Sequence, residues 1–174
     1  MKLKRLTRAA PMKIYLFRHA QKAMDFSGDP DLTTEGHNQA SKLLDKVLKN
    51  ELPTPTHLWV SPKKRTHSTL RPLSEHLQLK LENHDALLEQ QGDETLSDFR
   101  KRISSFLEGA GALKQSTIFA CSHYDWMIEA MTIVPCDKDL SDPDFSHWSP
   151  CQYIGFDVTN DGIFEYIEFK RISL

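Results

Sequence analysis

Apolar and polar positions along the chain switch repeatedly between a period of two and a period near three and a half, the signatures of strand and amphipathic helix. The run Ile14-Tyr15-Leu16-Phe17 reads as a buried strand from Lys13 to Phe17. A stripe of Ala40, Leu43, Leu44, Val47 and Leu48 predicts a helix from about Thr34 to Lys49, capped by Thr33 or Thr34 with Glu35 in its first turn. Pro53 and Pro55 end it. "HLWVS" is a second short strand, and Pro62 is expected to open the next helix, which runs through Pro72 with a kink to about Leu77. "LKLEN" is a short segment and "ALLEQQGDE" a loop; Leu96, Phe99, Ile103, Phe106 and Leu107 then predict a helix from Thr95 to about Gly109. "STIFACS" reads as a strand, "HYDWMIEAMTI" as a helix and "DKDLSDPDFSHWSPC" as a loop. Finally "YIGFDV" and "IFEYIEF" flank "TNDG", a hairpin signal. This order predicts a single three-layer α/β/α domain, its mainly parallel sheet ending in a C-terminal antiparallel hairpin.

Composition narrows the partners. The 174 residues suffice for one domain with a real core, and their 39% hydrophobic and 26% charged content is that of a globular protein. A formal net charge of −2 supplies no electrostatic reason to expect nucleic acid or a membrane surface as a partner. Residues 1–11 carry Lys2, Lys4, Arg5 and Arg8 with no long apolar h-region behind them; they read as a flexible extension ahead of a domain at 12–174, without a secretory signal. Cys121, Cys136 and Cys151, odd in number and widely spaced, suit reduced thiols and a cytoplasmic setting. With no CxxC or HExxH, neither a metal nor a cofactor is expected.

The candidate chemistry lies where strands end. The first predicted strand stops at Arg18-His19, the second at Ser61-Pro62 with Arg65 a helical turn later, and the "STIFACS" strand at Ser122-His123. In an α/β sheet these carboxyl ends share one crevice, the usual place for a ligand. Two guanidinium groups and two imidazoles converging there suit phosphoryl transfer. A neutral imidazole can carry the phosphoryl group covalently, and planar guanidinium forks hold its oxygens. Fixed cations stabilise the charge on those oxygens in the transition state.

The segments "LFRHAQKAMD", "LTTEGHNQA", "SPKKRTHST", "LLEQQGDETLSDFRKRI" and "FACSHYDWMI" resemble, in this order, the histidine phosphatase (phosphoglycerate mutase-like) superfamily, over roughly residues 12 to 133. The resemblance implies the phosphoglycerate mutase-like fold. It makes His19 the phosphorylated nucleophile, Arg18 and Arg65 the phosphate clamps, and His123 a further phosphate ligand. Glu89, in the L-x-E position, becomes the proton donor, with Asp25, Asp93, Glu94 and Asp125 as rival acids. Several positions depart from the pattern: Ala20 replaces a commoner glycine, Ser68 a common glutamine, and Tyr124-Asp125 follow the second histidine where small residues are frequent. Asp25, with the short chain, looks more like the short bacterial phosphohistidine phosphatases than like the mutases.

The stretch between Arg65 and His123 already holds a loop and a helix, which leaves little for a lid over the pocket. An open pocket admits water, so hydrolysis is expected to win over return of the phosphoryl group to a retained substrate. The reading is a metal-independent phosphatase acting on a phosphorylated small molecule or a phosphohistidine protein. Its alternatives are a catalytically weak phospho-ligand-binding module and a phosphomutase. His37, His57, His67, His76, His84 and His147 read as surface or helix-face residues, Trp59 as core, and Trp126 and Trp148 as pocket-mouth or packing residues.

Overall fold

A computed structural model describes residues 12–173. Among them one six-stranded sheet runs in the order β3-β2-β4-β1-β5-β6. Strands β1 (Met12–Arg18), β2 (His57–Val60), β3 (Leu81–Asn83) and β4 (Thr117–Ser122) are parallel; β5 (Gln152–Val158) and β6 (Phe164–Arg171) complete one side antiparallel. Four helices flank the sheet: α1 (Thr34–Leu48), α2 (Lys64–Leu77), α3 (Leu96–Gly111) and α4 (Tyr124–Ile133). Residues 1–11, read from sequence as an extension, lie outside the described residues.

The unbroken apolar run in β1 reflects burial on both faces. Ile14 and Leu16 pack with Phe99, Ile103, Trp126 and Met127 of α3 and α4, whereas Tyr15 and Phe17 pack with Ala40, Leu43, Leu70 and Leu73 of α1 and α2. Trp126 and Trp148 are both fully buried, which settles them as packing residues, and Trp59 joins the core as expected. No helix among the described residues is long and apolar enough to cross a membrane.

Two elements differ from expectation. Within "LKLEN", Leu81–Asn83 pairs in parallel with β2 as an edge strand, three residues being too short to show a period. Pro62 does not open α2: Lys63, in extended conformation, is the N-cap, and its amide donates to the Ser61 carbonyl at 2.8 Å. The chain therefore makes a tight turn after β2 before the helix begins at Lys64. Pro72 lies inside α2 without ending it.

Candidate active site

The end of β1 is clamped from both sides. His19 N–H donates to the Ser122 carbonyl at 3.0 Å, extending the β1–β4 pairing by one residue. Ala20 N–H donates to Thr69 Oγ1 at 3.0 Å, and that hydroxyl donates to the Arg65 carbonyl at 2.7 Å, tying the strand end to α2. Gln21 N–H donates to Gln39 Oε1 at 2.9 Å, and Thr33, the cap of α1, donates through its amide to the Gln21 carbonyl at 2.9 Å. Helix α1 comes so close here that a Cβ on Gly36 would sit 2.1 Å from the Gln21 oxygen. Only glycine fits at that position.

Within this frame the three strand ends bring their histidines and arginines together. His19 is 4% exposed, and its Nδ1 lies 2.7 Å from the Ala20 carbonyl, an acceptor only. Nδ1 therefore carries the proton, which leaves the lone pair on Nε2. Burial holds His19 far below its ordinary value, to about 3, with His123, Arg65 and Arg18 acting in the same direction and the Ala20 carbonyl opposing them. The His19 and His123 rings stand 5.4 Å apart, inclined at 62°.

His123, the N-cap residue of α4, is fixed as the other tautomer. Arg65 Nη2 donates to its Nδ1 at 3.1 Å, so Nε2 holds the proton and faces Ser61 Oγ at 2.7 Å. Burial, followed by the charges of Arg65, Lys63, Lys22 and Arg18, lowers His123 to about 2. Both rings are thus neutral through the physiological range, and the 3.1 Å approach of His123 Nε2 to Glu89 Oε2 is not an ion pair.

The arginines show what the site lacks internally. Arg65 Nη2 also donates to Glu89 Oε1 at 3.0 Å, and Nη1 lies 3.6 Å from Asp29 Oδ1. Arg18 Nη1 donates to the Trp148 carbonyl, and its guanidinium lies over the Tyr124 ring, 5.1 Å from the centroid. Yet Nε of Arg18 and Nε of Arg65 are both buried without a hydrogen-bond partner. Each such donor costs about 1–3 kcal/mol. A tetrahedral anion between the two guanidinium groups fits that deficit.

Of the candidate acids, only Glu89 touches this cluster: it contacts Arg65, His123 and, at 3.8 Å, Lys63. Asp125 is committed elsewhere, accepting from Gln90 N–H and Trp126 N–H, both at 2.8 Å. Glu94 is gripped by Arg102 through two contacts of 2.7 Å. Asp25 is exposed and bonded to Ser27, whose hydroxyl and amide lower its carboxyl. Asp93 is exposed on the loop before α3. Among the described residues no group of three or more His, Cys, Asp or Glu is placed to hold a metal ion.

Two participants, Asp29 and Lys63, escaped the sequence reading, as did the part played by the Trp148 backbone. Trp148 contributes its carbonyl, which no side-chain motif announces. Asp29 sets its carboxylate against the start of α2, 3.2 Å from Lys64 N–H. Lys63 reaches the Glu89 carboxylate, and its place beside Arg65 in "SPKKR" was the available signal. Ser68, noted for replacing glutamine, is buried on α2, and its hydroxyl helps to lower the Asp31 carboxyl against the opposing effect of burial.

A mainly parallel sheet whose strands end in buried imidazole and guanidinium groups defines an α/β protein with a cationic cluster at the carboxyl ends of its strands. The sequence profile of the histidine phosphatase superfamily (branch 1) matches residues 14–93, a little under half of the chain. No curated protein matches the sequence. Among solved structures, the chain is similar to a mutant phosphoserine phosphatase from Entamoeba histolytica in complex with phosphoserine, at 13% identity and a TM-score of 0.72, over 93% of this chain and 98% of that one. It is likewise similar to the protein histidine phosphatase SixA complexed with tungstate, at 17% identity and a TM-score of 0.67, over 92% and 97% of the two chains. At these identities the likeness is one of fold: the phosphoglycerate mutase-like α/β fold with its closing hairpin.

Proposed function

We propose that the protein is a phosphatase that hydrolyses a phosphomonoester or a protein phosphohistidine through a phosphohistidine intermediate on His19. The observation that carries this reading is the tautomer of His19: a buried neutral ring whose Nδ1–H is held by the Ala20 carbonyl, which frees Nε2 to attack. In the first step Nε2 bonds to phosphorus while the bond to the leaving atom, an ester oxygen or the imidazole nitrogen of a phosphohistidine, breaks, and Glu89 supplies the proton an ester oxygen needs. Arg18, Arg65 and His123 hold the three remaining oxygens, whose charge they stabilise throughout. In the second step water attacks phosphorus, Glu89 takes its proton back, and the P–N bond breaks to restore the imidazole. Phosphorylated small molecules and phosphohistidine proteins both suit this chemistry, and a cytoplasmic setting suits the three free thiols.

Asp125 bears on the alternative of a binder without turnover. It follows His123 where small residues are frequent, yet it is held by the backbone amides of Gln90 and Trp126, and the carboxylates against Arg65 are those of Glu89 and Asp29. Rapid quenching of the protein with a labelled phosphate ester tests the proposal. The expected result is a phosphoryl label that is acid-labile, alkali-stable and absent in His19→Ala. Acid-stable label, or label in His19→Ala, excludes the mechanism.

A further inference from the structure

We infer that a second anion-binding site lies beside the phosphoryl pocket on the outer face of α2, and that it receives a second negatively charged group of the substrate, on the leaving-group side. The use made of this site rests on the proposed phosphatase reading; its ligand chemistry does not. A hollow of about 290 Å³ is lined there by Lys63, Lys64, His67, Arg71, Asp29 and Asn83. Lys64, His67 and Arg71 are spaced i, i+3 and i+7 on α2, so they lie along one face of the helix. Lys63 belongs to both places: it lines the hollow, and its Nζ lies 3.8 Å from Glu89 Oε1. Because Glu89 is the proposed proton donor to the leaving group, a substrate crossing Lys63 extends its leaving portion toward Lys64 and Arg71.

The charge balance favours an anion. Lys64 and Arg71 are exposed, and among the described residues neither has a carboxylate within 4.0 Å, although Asp25 and Asp31 act on them from farther away. The one carboxylate lining the hollow, Asp29, is already engaged: its two oxygens lie 3.2 and 3.4 Å from Lys64 N–H, and Oδ1 lies 3.6 Å from Arg65 Nη1. It fills the helix N-terminus and leaves the side-chain cations of Lys64 and Arg71 for a ligand, with Lys63 shared with Glu89 at 3.8 Å. His67 Nε2 pairs with Asn83 Oδ1 at 2.6 Å, which fixes the floor of the hollow to β3. The second anionic group has two sources: another phosphate or a carboxylate on a small ester, or acidic side chains flanking a phosphorylated residue in a protein.

The test is an equilibrium titration of the full chain with hydrolytically inert propylphosphonate and with alkylene bisphosphonates of graded length. The wild type is expected to bind at least one bisphosphonate tenfold or more tighter than propylphosphonate. In Lys64→Ala/Arg71→Ala that advantage should shrink to threefold or less, while affinity for propylphosphonate shifts far less. Both positions are exposed, so the fold should survive, and circular dichroism checks it. Equal affinity for the two ligand classes in the wild type, or an advantage retained in the double variant, overturns the inference. Because this titration needs no turnover, an inactive protein that prefers bisphosphonates sinks the phosphatase reading alone. An active protein blind to the second charge sinks this inference alone. If turnover is present, kcat/KM on alkanediol bisphosphates and on phosphopeptides with acidic or neutral flanks identifies the source. A selective loss in the double variant on bisphosphates assigns a small molecule, on acidic peptides a protein, and on neither counts against the site.

Discussion

The two ends of the sheet differ in what they enclose. At the carboxyl ends of β1, β2 and β4, four basic groups and a carboxylate crowd a small space with two guanidinium donors left unpaired. At the opposite end, between α3, the end of α4 and the hairpin turn, lies a hollow of about 580 Å³ whose apolar wall includes Leu107, Ile133, Pro135 and Phe164, with Ser104, Glu108, Asn160 and Asp161 also lining it. Volume alone would favour the second. Convergent polar groups and perturbed imidazoles favour the first, because reacting groups must be aimed and charged, whereas room need only be left. The comparison separates residues that hold the fold from residues that do chemistry.

The sharpest way to break that contrast is His19→Ala, expected to lower turnover by about 10⁴-fold or more, as loss of a covalent nucleophile does. Steady-state kinetics on p-nitrophenyl phosphate reads it, and a variant retaining a tenth of the rate would move the chemistry elsewhere. Next comes Arg65→Lys, which keeps the charge but loses the planar fork that reaches both His123 and Glu89. A fall of about 10²–10³ in kcat/KM is expected, in the range of a lost oxyanion donor.

At the apolar end the response should change in kind. Leu107→Ala, at a position 2% exposed, should cost about 2–5 kcal/mol in denaturant unfolding while kcat of the folded protein stays within about twofold. Glu89→Gln should then slow an alkyl phosphate by about 10²-fold and p-nitrophenyl phosphate only mildly, since nitrophenolate leaves without a proton. Equal losses on both esters would remove Glu89 as the acid.

The smallest effect is in pH dependence. His19 and His123 drop from 6.5 in the unfolded chain to about 3 and about 2 in the folded one, so the unfolded state binds more protons between these limits. Their contribution to stability is complete above about 6.5 and is lost as pH falls toward the folded values. Thermal unfolding across that window should therefore show a shallower loss of Tm on acidification in His123→Gln than in the wild type.

Much of this was legible in the sequence because it is local. Each strand that delivers a site residue announces itself by an apolar run, and the arginine or histidine follows within a few positions. The three-residue strand Leu81–Asn83 was hidden because an edge strand that short has no period to detect. Pro62 misled because its fixed φ suits a helix start, yet the chain spends Lys63 on a turn first. The L-x-E position put Glu89 first among the acids by resemblance, but nothing in the sequence showed what occupies its rivals. Asp125 and Glu94 are set apart from Glu89 by contacts with Gln90 and Arg102, and only the folded chain shows which partners claim them.

The position of β1 in the sheet has a kinetic consequence. Among the described residues it is the first strand, yet its two neighbours are β4 and β5, so Lys13 pairs with Thr117 and Met12 with Val158. The loop between such partners must close before the contacts repay its entropy. Helices α1 and α2 can collapse on each other early, but the strand carrying His19 stays without a partner until the last third of the chain has emerged. During synthesis or refolding the apolar run Ile14–Phe17 is thus the segment exposed longest, and catalytic competence should appear after most of the helical signal has returned.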